Sequence, residues 1–108
     1  GIFKRQRDNG EKLTVVGSGE QRRDFTYVKD VVRAFVMAAE SEVKSGVFNV
    51  GAGRNYSIND IAEMVGGETV TIASRVGEAK ETLADSSKAK LAFGWEPKHS
   101  LRDLINSY

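Results

Sequence analysis

Cysteine is absent from this chain of 108 residues, and histidine, tryptophan and proline each occur once. The lack of cysteine excludes disulfides, iron–sulfur clusters, thiolate nucleophiles and zinc fingers. The single histidine, His99, excludes a metal site that needs two histidine ligands. No apolar run approaches the ~20 residues of a membrane-spanning helix, and no signal peptide opens the chain. We therefore expect no bound metal, no membrane partner and a cytoplasmic location.

An excess of charge of one sign is lacking as well. The chain has 16 Lys and Arg residues against 15 Asp and Glu residues, a net charge of +1. A nearly neutral chain has no general attraction for nucleic acids or anionic membranes. A small nucleic-acid-binding protein stays open as an alternative, with a basic set of Lys4, Arg5, Arg7, Arg22 and Arg23. Because interleaved aromatic residues and a high isoelectric point are missing, we expect no nucleic-acid partner.

Strand patterns and helix patterns alternate along the chain. Short β-branched or apolar runs predict strands over 13–16, 47–50 and 69–72. Apolar residues three and four apart predict a helix from residue 28 that is buried along one stripe. Further helices are predicted over 1–9 and from about residues 58, 87 and 101. The expected fold class is α/β, a small single domain over residues 1–108 with short strands and four to five helices.

Three short strands form a thin sheet with exposed edges. Either the chain's own helices or a missing neighbour must cover those edges. The sequence leaves both possibilities open.

Two glycine pairs follow predicted strands, Gly17-Ser18-Gly19 and Gly51-Ala52-Gly53. A dinucleotide-binding fingerprint needs a third glycine, and Arg22 and Tyr56 occupy that place. Each pair is therefore interpreted as a tight turn. His99 has no evident partner in the sequence and is interpreted as a surface residue rather than a catalytic base.

Two arginines stand close to glycines in separate parts of the chain. Arg23 follows the first glycine pair, and Arg75 precedes Gly77 and Glu78. The planar guanidinium group binds two phosphate oxygens at once, so such a pair suits a diphosphate. From spacing alone, solvation or pairing with a neighbouring acid such as Asp24 is the better explanation of these arginines.

Four motifs in fixed order make the chain similar to a known family. Residues 17–34 have the form G-x-G-x-Q-x-R-D-F-x-Y-V-x-D-V-x-x-A, and residues 48–53 the form F-N-V-G-x-G. Residues 75–78 read R-x-G-[DE], and residues 84–97 read A-D-x-S-K-A…G-W-x-P. In these motifs the chain resembles the NAD-dependent nucleotide-sugar epimerases and dehydratases, which are extended short-chain dehydrogenase/reductases and include UDP-glucose 4-epimerase-like isomerases.

The resemblance covers the family's C-terminal, substrate-binding part. The family's glycine-rich NAD fingerprint and its Tyr-x-x-x-Lys pair have no counterpart here, because Tyr27 is followed four residues later by Val31 and Tyr56 by Asp60. The resemblance therefore implies a part that lacks its Rossmann domain and carries no catalytic residue. It implies NAD for the complete enzyme and no cofactor bound by this chain.

The resemblance also assigns residues to a nucleotide-sugar site. Arg23 and Arg75 correspond to the arginines that clamp the diphosphate. Glu78 corresponds to the acid that accepts hydrogen bonds from the ribose hydroxyls, where many members have Asp. The expected ligand is a UDP- or dTDP-sugar.

Three more residues are implied to belong to this site. Asn49, in the F-N-V-G motif, would reach a phosphate or sugar oxygen, although a purely structural role in its turn is equally open. Thr14 and Val16 would flank the base, with Val16 at a position where relatives often have an aromatic residue. Asp85 and Ser86 are interpreted as a helix cap.

Two functions of different kinds follow from the resemblance. The chain is either the substrate-binding portion of an epimerase or dehydratase, inactive until joined to a Rossmann part, or a stand-alone module that binds nucleotide sugars. For the isolated chain we expect self-association, through bare strand edges or through the surface that would meet the absent domain.

Overall fold

Five helices and four short strands make up the chain, in a computed structural model that describes residues 2–107. In chain order they are α1 (Ile2–Asp8), β1 (Leu13–Val16), β2 (Arg22–Asp24), α2 (Val28–Glu40), β3 (Asn55–Ser57), α3 (Ile58–Val65), β4 (Thr69–Ile72), α4 (Ser87–Phe93) and α5 (Leu101–Ser107). The α/β class and the helix number agree with the sequence prediction. No helix within residues 2–107 has the length and apolar character needed to cross a bilayer.

The strands form two separate two-stranded sheets. β1 pairs with β4 in parallel, from Leu13 opposite Thr69 to Val16 opposite Ile72. β2 pairs with β3 in antiparallel register. The predicted strands over 13–16 and 69–72 are confirmed, whereas β2 and β3 were not predicted from the sequence.

The predicted strand over 47–50 is wrong, because this segment is not part of either sheet. Phe48 and Val50 pack against a small core around Trp95, while the Val47 side chain is 82% exposed. The segment has a strand-forming sequence, but none of the four strands in residues 2–107 lies beside it. A strand needs a hydrogen-bonded neighbour, and none is present here.

Two hydrophobic clusters hold the chain together. The larger joins β1, α3 and α5, and its buried members are Leu13, Val15, Ile61, Ala62, Val65, Leu101 and Ile105. The smaller joins α2 and α4 around Trp95, which is completely buried with Ala34 and Ala89 beside it. The indole Nε1 of Trp95 donates to the backbone oxygen of Asp30 at 2.9 Å.

The apolar stripe of α2 is exposed, contrary to the prediction of a helix buried along one side. Phe35 is 74% exposed, and Val28, Val32 and Val36 are each about half exposed. The molecule measures 49 × 29 × 16 Å, and its radius of gyration is 16.3 Å. A compact domain of this length has a radius near ~13 Å. The chain is thus a thin slab without a second layer over α2.

The predicted helix caps have different outcomes. α3 begins with a capping box: Ser57 Oγ accepts from the Asp60 backbone N–H at 3.0 Å, and the Asp60 carboxylate accepts from the Ser57 N–H. Ser86 is the N-cap residue of α4, as predicted, but its side chain makes no capping hydrogen bond. The Ser86 hydroxyl donates to Gly51 O and accepts from Gly51 N–H, because the turn after residue 50 lies beside it, and Asp85 Oδ1 accepts from the Ser87 N–H at 3.0 Å.

His99 has a partner, which corrects its interpretation as a residue without one. Its Nδ1 lies 2.8 Å from Oδ1 of Asp30, a side chain that is 1% exposed, and Arg33 donates to the same oxygen at 2.7 Å. Burial of the carboxyl would raise its pKa, but the hydrogen bonds from His99 and Arg33 outweigh burial. The pKa of Asp30 therefore lies below its ordinary value.

Candidate functional site

A polar cavity of about 440 Å³ lies where the parallel strands β1 and β4 both end. One wall is the turn after β1 and the other is the loop after β4. The lining residues are Val16, Gly17, Ser18, Glu20, Gln21, Ser74, Arg75, Glu78, Ala79 and Lys80. Ligands of α/β proteins commonly bind at the carboxyl ends of parallel strands, so this is the candidate site.

Gly17 lets the two walls approach each other. Its φ is +63°, a backbone conformation that residues with a side chain rarely adopt. A Cβ at this position would lie 2.6 Å from the Ser74 hydroxyl oxygen. The Gly17 N–H donates to Ile72 O at 2.9 Å, which continues the β1–β4 pairing into the turn. A larger residue at position 17 would push the loop after β4 away from the cavity.

Arg23 lies beside the cavity through its contact with Glu78. Its Nη2 is 3.4 Å from Glu78 Oε1, and its Nη1 donates to Arg22 O at 2.8 Å. Both side chains of the ion pair are largely shielded, with 23% of Arg23 and 32% of Glu78 exposed. The cavity lining includes Glu78 and Arg75 but not Arg23. The fold thus brings the three predicted residues Arg23, Arg75 and Glu78 to one part of the molecule.

Val16 shares this cavity, whereas Thr14 and Asn49 lie outside its lining. The Thr14 hydroxyl accepts from Gln6 Nε2 at 3.0 Å, and its backbone N–H donates to Gln6 Oε1 at 3.1 Å. Thr14 is thus engaged with α1. Asn49 lies on the unpaired 47–50 segment and is exposed.

Sequence reasoning missed several lining residues, above all Gln21 and Lys80. Gln21 Nε2 donates to Val16 O at 3.0 Å, which fixes this amide at the edge of the cavity. Lys80 places a further cation in the lining, and its backbone oxygen accepts from Arg22 N–H at 2.8 Å. Gln21 belongs to the first motif, so the motif itself was the available signal. Nothing in the spacing marked Lys80.

The charges around the cavity nearly balance. Arg75 and Lys80 stand against Glu20 and Glu78 in the lining, and Arg23 adds a third cation at the edge. Three cations against two carboxylates leave a small positive excess. Such a balance suits an anionic ligand that also presents hydroxyl groups to carboxylate acceptors.

The glycine turns do not fit NAD. In a dinucleotide-binding fingerprint the glycine-rich turn leads from a strand into a helix, whose N-terminus faces the pyrophosphate. Here the turn at Gly17 and Gly19 leads into strand β2, and the turn at Gly51 and Gly53 leads into strand β3. Neither turn supplies a helix N-terminus. The interpretation of both pairs as tight turns agrees with this geometry.

Comparison with known proteins gives a consistent family. A family model, the NAD dependent epimerase/dehydratase family, matches residues 2–51. UDP-glucuronic acid decarboxylase 1 of Xenopus tropicalis is 39% identical over 103 residues, which are 90% of this chain and 24% of the relative.

Solved structures extend the likeness to the fold. A UDP-glucose 4-epimerase from Thermotoga maritima, solved with UDP-glucose, is 36% identical with a TM-score of 0.89, over 96% of this chain and 35% of that one. A UDP-glucuronic acid 4-epimerase from Bacillus cereus, in complex with UDP-glucuronic acid and NAD, is 34% identical with a TM-score of 0.88. The match covers 97% of this chain and 36% of that one.

The chain spans about a quarter to a third of the length of these relatives. The resemblance expected from the four motifs is confirmed. The expectation that the chain matches only a portion of the family's members is confirmed as well. Along nearly all of its length this chain is similar to members of the NAD-dependent epimerase/dehydratase family, and it corresponds to about a third of their length.

Proposed function

We propose that residues 1–108 form a single nucleotide-sugar-binding domain of an NAD-dependent sugar epimerase or dehydratase, which is inactive alone. One observation carries this proposal: Arg23 contacts Glu78 at the cavity that Arg75 lines. The relatives' bound UDP-sugars support the same ligand class.

The three residues have separate roles in the proposed complex. Arg23 and Arg75 bind the diphosphate, because guanidinium groups pair bidentately with phosphate oxygens. The 3.4 Å contact between Arg23 and Glu78 is long for a charge-assisted hydrogen bond, so a phosphate replaces it at little cost. Glu78 then accepts hydrogen bonds from the ribose hydroxyls, and Val16 lies beside the base.

Catalysis requires a part of the enzyme that residues 2–107 do not supply. Hydride transfer is the chemistry of NAD, and the glycine turns here do not fit that cofactor. Neither Tyr27 nor Tyr56 has a lysine four residues later. The chain therefore binds and orients the sugar nucleotide, while proton and hydride transfer belong to a Rossmann part.

The exposed side of α2 is the surface for that Rossmann part. Phe35 and Val32 are exposed on the helix, and an apolar groove of about 280 Å³ runs between α2 and the 47–50 segment. The family's members are about three times as long as this chain, so a large missing portion is available to cover this face. An unpaired strand-like segment beside an apolar helix fits the edge of a sheet covered by a helix.

The alternative functions are less well supported. A stand-alone binding module would leave the apolar side chains of α2, among them Phe35 and Val32, exposed to water, and contiguous exposed apolar residues often mark an interaction surface. The basic residues considered for nucleic-acid binding are partly engaged within the fold: Lys4 donates to Ile105 O, and Arg7 to Val65 O, each at 2.9 Å.

Calorimetric titration with UDP-glucose tests the proposal. We expect saturable binding by the chain and a loss of at least ~tenfold in affinity for Arg23→Ala. Arg5→Ala is the matched control, since it removes an exposed arginine of α1 far from the lining. Equal affinity of the Arg23→Ala and Arg5→Ala variants would refute the assignment.

A further inference from the structure

Asp24, at the end of β2, uses its carboxylate to join three segments of the chain. Oδ1 accepts from Ala52 N–H at 2.9 Å and from the Thr26 hydroxyl at 3.1 Å. Oδ2 accepts from Gly53 N–H at 3.0 Å and from Ala84 N–H at 3.1 Å. A carboxylate offers about four lone-pair positions, and all of them are used here.

The packing around this carboxylate is tight. Gly51 lies beside it, and a Cβ at that position would overlap the Cβ of Ala84 and lie 3.1 Å from Asp24 Oδ2. The Asp24 backbone N–H also donates to Thr82 Oγ1 at 3.1 Å. Asp24 is thus attached to residues 82 and 84 by both its main chain and its side chain.

These attachments fix one end of the loop over residues 73–80, which carries Arg75, Glu78 and Lys80 to the cavity. Just before the loop, at the end of β4, Ile72 O accepts a hydrogen bond from the Gly17 N–H. After it, Arg22 N–H donates to Lys80 O at 2.8 Å, and Thr82 N–H donates to Arg22 O at 3.0 Å. The 73–80 loop is therefore held at its two ends.

Arg23 immediately precedes Asp24, so one strand connects the diphosphate-binding arginine to the anchor of the loop that faces it. We propose that Asp24 is a positioning residue that fixes the 73–80 loop relative to Arg23 and thereby sets the affinity of the cavity for a diphosphate. This inference rests on the proposed function for its ligand, and its structural part stands on the hydrogen bonds alone.

Replacement of Asp24 by asparagine removes the charge and one acceptor with almost no change in shape. In either orientation the amide nitrogen would face backbone N–H groups that need an acceptor. Either the contact to Ala84 or the contact to Ala52 would be lost, which would loosen the end of the loop that the backbone of Arg22 still holds. A generally destabilised protein would behave differently, because its folded fraction would keep a normal cavity.

Asp30→Asn is the matched control. Asp30 also has a carboxylate with four hydrogen-bond donors around it, from Arg33, Lys98 and both the ring and the backbone of His99. It lies outside the cavity lining. Loss of its charge should lower the melting temperature of the chain without changing the affinity of the folded molecules.

The experiment measures two quantities for the chain and both variants: the affinity for UDP and for uridine, and amide hydrogen exchange along residues 73–84. We expect Asp24→Asn to bind UDP at least ~tenfold more weakly with less than ~threefold change for uridine. We also expect faster exchange at Thr82 and Ala84, with neither effect in Asp30→Asn.

Unchanged exchange at Thr82 and Ala84 in Asp24→Asn would overturn the positioning role. Equal losses for UDP and uridine would overturn its link to the diphosphate. If the unmodified chain binds no UDP while Asp24→Asn still accelerates exchange, the proposed function fails and the anchoring of the loop is supported.

Discussion

The guanidinium of Arg23 lies 3.4 Å from the carboxylate of Glu78, although the two residues are 55 positions apart in the sequence. The contact connects strand β2 with the loop that follows β4. It brings an arginine of one sequence motif to the acid of another at the edge of one cavity.

Glu78→Gln should weaken binding of UDP about tenfold, because a carboxylate accepts hydrogen bonds from hydroxyl groups more strongly than an amide does. The loss should be smaller for 2′-deoxy-UDP, which presents one hydroxyl fewer. Calorimetry with both nucleotides measures the difference. Equal losses for the two ligands would show that Glu78 does not contact the 2′-hydroxyl of the ribose.

Gly51→Ala should destabilise the chain by about 1–3 kcal/mol, since its Cβ would overlap the side chain of Ala84. The double variant Gly51→Ala/Ala84→Gly removes the overlapping atom and should recover part of that loss. Thermal unfolding of the unmodified chain and these two variants measures the loss and its recovery. If Ala84→Gly gives no recovery, the close approach of these two turns is not the cause.

Asp30 should make the stability of the chain depend on acid pH. Its pKa is lowered in the fold, so the stabilisation is present above the unfolded pKa of ~3.9 and is lost as the pH falls through the lower, folded value. We expect the melting temperature to fall with pH in this range for the unmodified chain. Asp30→Asn should be less stable at pH 7 by about 1–3 kcal/mol and less dependent on pH. A parallel pH dependence in both proteins would contradict this assignment.

The exposed face of α2 should make the isolated chain self-associate, since contact with a second copy would remove Phe35 and its apolar neighbours from water. Phe35→Glu should shift sedimentation toward the monomer. Leu91→Glu is the control, because Leu91 on α4 is an apolar side chain that is 89% exposed, more than Phe35. A monomeric unmodified chain, or an equal effect of the two substitutions, would show that α2 does not mediate contact.

Purified chain supplied with NAD and UDP-glucose should give no epimerisation and no dehydration. The described residues offer no fit for the cofactor and no Tyr-x-x-x-Lys pair. Product analysis by NMR checks this expectation. Turnover that follows the chain through purification would contradict it.

The sequence was sufficient to predict those helices and strands whose hydrophobic pattern matches the way they pack. β1 and α3 are examples, because Leu13, Val15 and Ile61 face one core at the spacing that each element dictates. Strand β2 is Arg-Arg-Asp, which has low strand propensity. Its pairing with β3 arises from the contacts of Asp24 and Arg22 with distant residues, which no local pattern contains.

The two wrong expectations about burial have one physical origin. The 47–50 segment and α2 have sequences suited to a sheet and its covering helix, but no strand among residues 2–107 pairs with that segment and the outer apolar side chains of α2 are exposed. At the candidate site, the structure places Arg75 and Glu78 in the cavity lining and Arg23 in contact with Glu78. The Thr14 hydroxyl accepts from Gln6, and its predicted place beside a base stays a prediction. No pattern in the sequence predicted that Lys80 lines the cavity, because its place there depends on the path of the 73–80 loop.

The most direct test of the central claim is a double-mutant cycle on Arg23 and Arg75, with UDP and uridine as ligands. If both guanidinium groups bind the diphosphate, Arg23→Ala and Arg75→Ala should each weaken UDP binding by at least ~tenfold, with uridine binding little changed and a measurable coupling between the two. Unchanged UDP affinity in either single variant would contradict the account.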